Sequence, residues 1–174
     1  MRASIRSQER RIAATLALAA ALLVTATRAP GAAPPAPPPS ASALVIVVGA
    51  QSPLRDISRK VLRRAYLGEV TEEQGIRLAA LNQPPGAPAR VAFDHTLLGL
   101  EPDAMARFWI DQRIRGQGSA PRAIPNVALL LRVLAQLPGG VSYVRRGEVP
   151  ANAPGVKVLT IDGKKPGDPG YLFP

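Results

Sequence analysis

The chain has 174 residues, 47% of them hydrophobic but only 4% aromatic, with 19 prolines, one histidine and no cysteine. The lack of cysteine excludes disulfides, thiolate chemistry, cysteine metal sites and a lipid anchor on an N-terminal cysteine. Twenty-two basic against twelve acidic residues give a net charge of +10, which suits either contact with anions (phosphate-type solutes, acidic polysaccharide, lipid heads) or a plain solvated basic surface.

Residues 1–26 read as an export signal. Arg2, Arg6, Arg10 and Arg11 form a basic start, Ile12 to Thr25 is uncharged and apolar, and Val24-Thr25-Ala26 offers small residues for cleavage. The apolar stretch is shorter than the roughly 20 residues of a membrane span. A retained single-pass anchor is the alternative. Export argues against nucleic acid as a partner and leaves this segment as the sole expected membrane contact. Residues 27–43, almost all Ala, Pro, Ser and Gly, cannot bury enough apolar surface to offset ordering and read as an extended or disordered tether. One folded domain is then expected over 44–163, with an irregular tail over 164–174.

Leu44 to Val48 is an apolar, β-branched run bounded by Gly49, the pattern of a strand buried on both faces. Ser58 suits the N-cap of a helix in which Val61, Leu62, Ala65 and Tyr66 share a face and Gly68 ends the run. Arg77 to Leu81 reads as a second strand. Pro84 to Pro88 must turn, and Pro88 fits the first turn of a helix that Gly99 closes. Another helix follows Glu101-Pro102-Asp103, with Met105, Phe108, Trp109 and Ile114 at helical spacing as core. Gly116 to Pro121 is a loop. Asn126 can cap an apolar helix over Val127 to Leu137, Pro138-Gly139-Gly140 turns into the strand Val141 to Val144, and Val156 to Ile161 is a last strand. Strands alternating with helices give an α/β fold, a small mixed sheet flanked by helices.

No catalytic constellation stands out. His95 adjoins Asp94, but neighbours on a helix do not face each other. Glu72, Glu73 and Asp162 are isolated, no spacing fits a metal, and Gly116-x-Gly118 lacks the strand–helix context of a dinucleotide loop. Neither an enzyme nor a cofactor is expected.

Three segments in order, Ile57 to Glu69, Gln83 to Phe93 and Leu137 to Val144, resemble the second lobe of the phosphate-binding proteins that serve ABC importers. Ile57-Ser58 running to Tyr66-Leu67-Gly68-Glu69 is similar to the family's Leu-Gly-terminated helix, and Pro138-Gly139-Gly140-Val141-Ser142-Tyr143-Val144 to its Pro-Gly strand start. The resemblance spans roughly 44–146. It implies a periplasmic-binding-protein-like (type 2) single lobe, phosphate or another oxyanion as ligand, and an ABC permease or another envelope protein as partner. An interaction module that keeps this fold without a small ligand is the other reading. In the family an Arg-Ser-Asp-Gly-Ser-Gly-Thr loop opens a helix whose free N–H groups face phosphate. Here Gln83 holds the Arg place, Pro85 the Asp, Ala87 the Ser and Ala89 the Thr, and Gly86 is kept. The resemblance therefore places an anion site at Gly86 and Arg90, with Ser52, Ser58 and Ser119 as further donors from neighbouring loops. With so few ligand groups kept, high-affinity phosphate capture by this chain alone is not expected.

Overall fold

The structure is a computed structural model and describes residues 42–151 and 154–173. The predicted export signal and most of the predicted tether lie outside them. In chain order the elements are β1 (Leu44–Gly49), β2 (Asp56–Ile57), α1 (Arg59–Tyr66), β3 (Glu72–Glu73), β4 (Ile76–Arg77) and β5 (Ala79–Asn82). Then come α2 (Pro88–Phe93), running into a π turn (Asp94–Leu98), α3 (Pro102–Ile114), β6 (Arg122–Ala123), α4 (Val127–Gln136), β7 (Gly140–Arg145), β8 (Val156–Val158) and β9 (Thr160–Ile161).

Five strands make one mixed sheet in the order β6-β5-β7-β1-β8. β1 runs antiparallel to β7 and to β8, whereas β5 runs parallel to β7 and to β6. The apolar run of β1 is buried along its whole length because both faces of the sheet are covered. Leu44, Ile46 and Val48 face a core built with α1, α2, the π turn and Met105 of α3. Val45 and Val47 face the opposite core, under Leu130 and Leu134 of α4. The strand period of two thus splits one hydrophobic run between two layers.

Local signals set the helix starts. The Ser58 hydroxyl accepts from the Val61 N–H at 3.2 Å, and Asn126 Oδ1 accepts from the Leu129 N–H at 2.9 Å. Each such cap is worth about 1 kcal/mol. After Pro138 the chain must pass close to β4: a Cβ on Gly139 would collide with the Arg77 carbonyl oxygen. The Gly139 carbonyl in turn accepts from the Ala79 N–H at 2.8 Å, which seats β7 beside β5.

Four features differ from the sequence reading. The strand expected over 77–81 is divided, because the Leu78 N–H bonds back to the Thr71 carbonyl and ties off the β3–β4 hairpin before β5 begins. The last strand is divided as well. Leu159 still donates to Ile46 of β1, but Thr160 donates to Arg55 and carries the chain over to β2. Ile114 is 78% exposed rather than core, since nine residues along α3 turn it half a revolution away from buried Met105. The tail has no regular structure beyond a bridge at Lys164, yet it is packed: Tyr171 and Phe173 are buried, and the Phe173 ring stacks 5.5 Å from Phe93. Among the described residues no helix is long and apolar enough to cross a membrane.

Candidate functional site

The turn between β5 and α2 keeps the strand–turn–helix path. The Ala87 N–H bonds to the Pro84 carbonyl at 3.1 Å, Gly86 takes a positive φ of 79° that disfavours any side chain, and Pro88 stands in the first turn of α2. Its polar side chains point into the protein. Gln83 is buried: its Nε2 donates to the Tyr143 carbonyl at 3.1 Å and its own N–H donates to Asn82 Oδ1 at 2.9 Å. Arg90 is 9% exposed; its Nη1 donates to the Gln83 carbonyl at 2.9 Å and its Nε approaches Asp94 Oδ2 at 3.4 Å.

This ion pair sits on a larger buried polar set. The Tyr143 hydroxyl donates to Asn82 Oδ1, and both Tyr66 and Ser142 donate their hydroxyls to the Leu81 carbonyl, at 2.8 and 2.9 Å. The rings of Phe93 and Tyr143 stack with centroids 3.8 Å apart, and Tyr66 lies 4.5 Å from Phe93. Burial pushes the Asp94 carboxyl above its ordinary pKa, and the charge and hydrogen bond of Arg90 pull it part of the way back. The Tyr143 hydroxyl is pushed up by burial and then by the charge of Asp94, so it stays a protonated donor.

A cavity of about 220 Å³ opens against this turn. Pro85 and Gly86 form one wall, Arg90, Val91 and Asp94 a second, and Pro102, Met105, Ala106 and Trp109 of α3 the third. Two of the candidate residues, Gly86 and Arg90, therefore share a site. The three serines do not line it. Ser58 is committed to capping α1, Ser52 is buried in the β1–β2 loop with its carbonyl accepting from Lys157 Nζ, and Ser119 is exposed in the α3–β6 loop. His95 is two-thirds exposed, 3.6 Å from Glu101. Among the described residues no group of three His, Asp or Glu side chains is placed to hold a metal.

Sequence reasoning overlooked Asp94, Asn82 and Tyr143 as parts of the site. The one available signal was the spacing of Arg90 and Asp94, which puts opposite charges on one helical face. Nothing local marks Asn82 and Tyr143 as partners.

No protein-family model and no curated protein matches the sequence. Solved structures match in fold. An ABC-type phosphate transport receptor from Vibrio cholerae aligns with a TM-score of 0.54 at 15% identity, over 71% of this chain and 48% of its own. A phosphate ABC transporter substrate-binding protein from Clostridium perfringens, with phosphate bound, aligns with a TM-score of 0.54 at 12% identity, over 71% of this chain and 46% of its own. PstS from Borrelia burgdorferi aligns with a TM-score of 0.52 at 12% identity, over 71% of this chain and 49% of its own. The chain thus spans about half the length of these proteins. At such identities the likeness is one of fold: a mixed α/β layer structure of the periplasmic-binding-protein kind.

Proposed function

We propose that the protein is an exported, non-enzymatic, solute-binding-like protein whose contact with phosphate or another oxyanion is weak. The observation that carries this reading is the engagement of Arg90. Its guanidinium is nearly buried and bonded to the Asp94 carboxylate and the Gln83 carbonyl, so an anion would have to compete with a carboxylate already in place. Pro88 also removes one N–H from the turn where the family's loop presents donors. Support for export comes from the basic and then apolar residues 1–26 and from the fold of transport receptors. The same neighbours support a binding rather than a catalytic role, with an ABC permease or another envelope protein as the partner.

The test is thermal unfolding with and without phosphate or sulfate, against sodium chloride at matched ionic strength. A ligand at 100 times its dissociation constant stabilises by about 2.7 kcal/mol, a shift of several degrees for a domain this size. At about 10 mM phosphate the expected shift is below about 3 °C, as for a dissociation constant of about 10 mM. A shift of several degrees at micromolar phosphate would overturn the reading. A second reading, an envelope interaction module that keeps the fold without a small ligand, is favoured by the inward turn of Gln83 and Arg90 at the β5–α2 turn and by the N–H missing at Pro88. It predicts no anion-specific shift at all.

A further inference from the structure

We infer that the groove between the open edge of β6 and α4 receives an extended acidic segment of a partner protein. The segment adds to the sheet as a further strand, with a carboxylate against Arg122 and Arg132. The inference gives a surface to the protein partner of the proposed function. It does not depend on a bound oxyanion, since the groove takes no residue from the β5–α2 turn.

The first ground is the edge itself. β6 ends the five-stranded sheet, and both of its residues, Arg122 and Ala123, are exposed. On the inner side the Ile124 N–H donates to the Asn82 carbonyl at 2.8 Å, with Ala123 opposite Asn82 in the register. Alternate residues of a parallel strand bond to alternate sides, so Ala123 turns its N–H and C=O to the open side. Such a free edge is a template for another chain. The second ground is the groove beside it, about 1050 Å³ in volume. Leu129 and Val133, one turn apart on α4, and Leu137 at the helix end are half-buried along it. A strand added to β6 would lay every second side chain on these three.

Charge names the occupant. Arg122 stands opposite Leu81 in the register and two residues from Ile124, and both of these belong to the core under α4. Its side chain is therefore on the α4 side, where Arg132 also lines the groove. Neither guanidinium is in an ion pair among the described residues, and no acid lines the groove. A second copy paired edge to edge would bring another Arg122 to the same edge, like charge beside like. The chain's own residues 1–41 hold Arg2, Arg6, Arg10, Arg11 and Arg28 against Glu9 alone, so they too fail to complement it. An acidic partner matches both arginines at once, and the net charge of +10 draws it in.

The probe is a dye-labelled, end-capped peptide, Thr-Val-Thr-Glu-Thr-Val-Thr, in which alternation sets the glutamate between two valines on one face. Titrated into the full chain at neutral pH and low salt, it should raise the dye's anisotropy saturably. It should bind at least about tenfold more tightly than the same peptide with lysine for glutamate. Arg122→Glu should reverse that order, and replacing both valines by serine should abolish binding. Ala123→Pro removes the outward N–H and no bond to β5, so the fold should hold and the peptide weaken about fivefold. The Ala123 N–H should exchange freely with solvent in the chain alone and become protected when the peptide binds.

No saturable binding, equal affinity for the lysine peptide, or an Arg122→Glu chain that keeps the original order would overturn the inference. An Ala123 N–H already protected in a monomer would overturn it too, by putting the chain's own N-terminal segment on the edge. A dimer that Ala123→Pro disrupts would do the same by putting a second copy there. None of these failures touches the oxyanion reading, which the thermal shift with phosphate or sulfate tests separately.

Discussion

Two corners of the molecule meet across β5 and β7 and have opposite characters. At the Pro138–Gly140 corner the residue choices serve the path of the backbone: Gly139 must lie against the Arg77 carbonyl, and it hands its own carbonyl to Ala79. At the Gln83–Asp94 corner the path is also kept, by Gly86 and Pro88, but the polar side chains have turned inward to serve one another. Backbone path and ligand chemistry are therefore separable. The first is enforced by packing that cannot give way, whereas the second depends on which side chains the turn carries and where they point.

Alanine placed at the two glycines gives the widest contrast. Gly139→Ala forces a carbon into a carbonyl oxygen and should cost about 3 kcal/mol or more in denaturant unfolding. Gly86→Ala meets nothing within 4 Å and has only its positive φ to overcome, so about 1–2 kcal/mol is expected. Equal costs would erase the distinction between the corners. A middle-sized effect is expected from Tyr143→Phe, which removes the donor to Asn82 Oδ1 from the set joining the corners. Because Asn82 Oδ1 still accepts from the Gln83 N–H, the loss should be about 1 kcal/mol.

The smallest effect is the dependence on pH. Burial raises the Asp94 carboxyl in the folded state above its ordinary value, against the pull of Arg90. An acid shifted in this direction supports the fold most below its unfolded pKa, and that support is lost as pH climbs through the raised value. Asp94→Asn should therefore flatten the stability profile in the window just above the ordinary carboxylate pKa. An unchanged profile would mean that Asp94 titrates as a solvated acid and that the inward pair is open.

Elements whose cause is local were legible in the sequence. β1 was visible in its uninterrupted Leu-Val-Ile-Val-Val run, α1 and α4 in Ser58 and Asn126, and β7 in the Pro-Gly-Gly turn ahead of it. The two-residue strands β2 and β6 were not, because two residues carry no periodicity and are held only by their partners. The candidate site was legible in part. Gly86 and Arg90 do meet at one cavity, but the serines proposed beside them are held elsewhere, by a cap, a loop and the solvent. The inward set joins Asn82 to Tyr143 across 61 residues, and no short window holds that pairing. Tyr171 and Phe173 were hidden likewise, since a Pro- and Gly-rich tail looks loose until the core it covers is known.

The central claim is that Arg90 serves Asp94 and Gln83 rather than an oxyanion, and its Nε–H is the direct witness. In a nitrogen–proton correlation spectrum of the full chain, this resonance should be protected from solvent exchange and should stay in place as phosphate is added to about ten times its concentration in a micromolar-affinity titration. A saturable shift of the Arg90 resonance at micromolar phosphate, with loss of its protection, would show the pair opening to take the anion and would contradict the account.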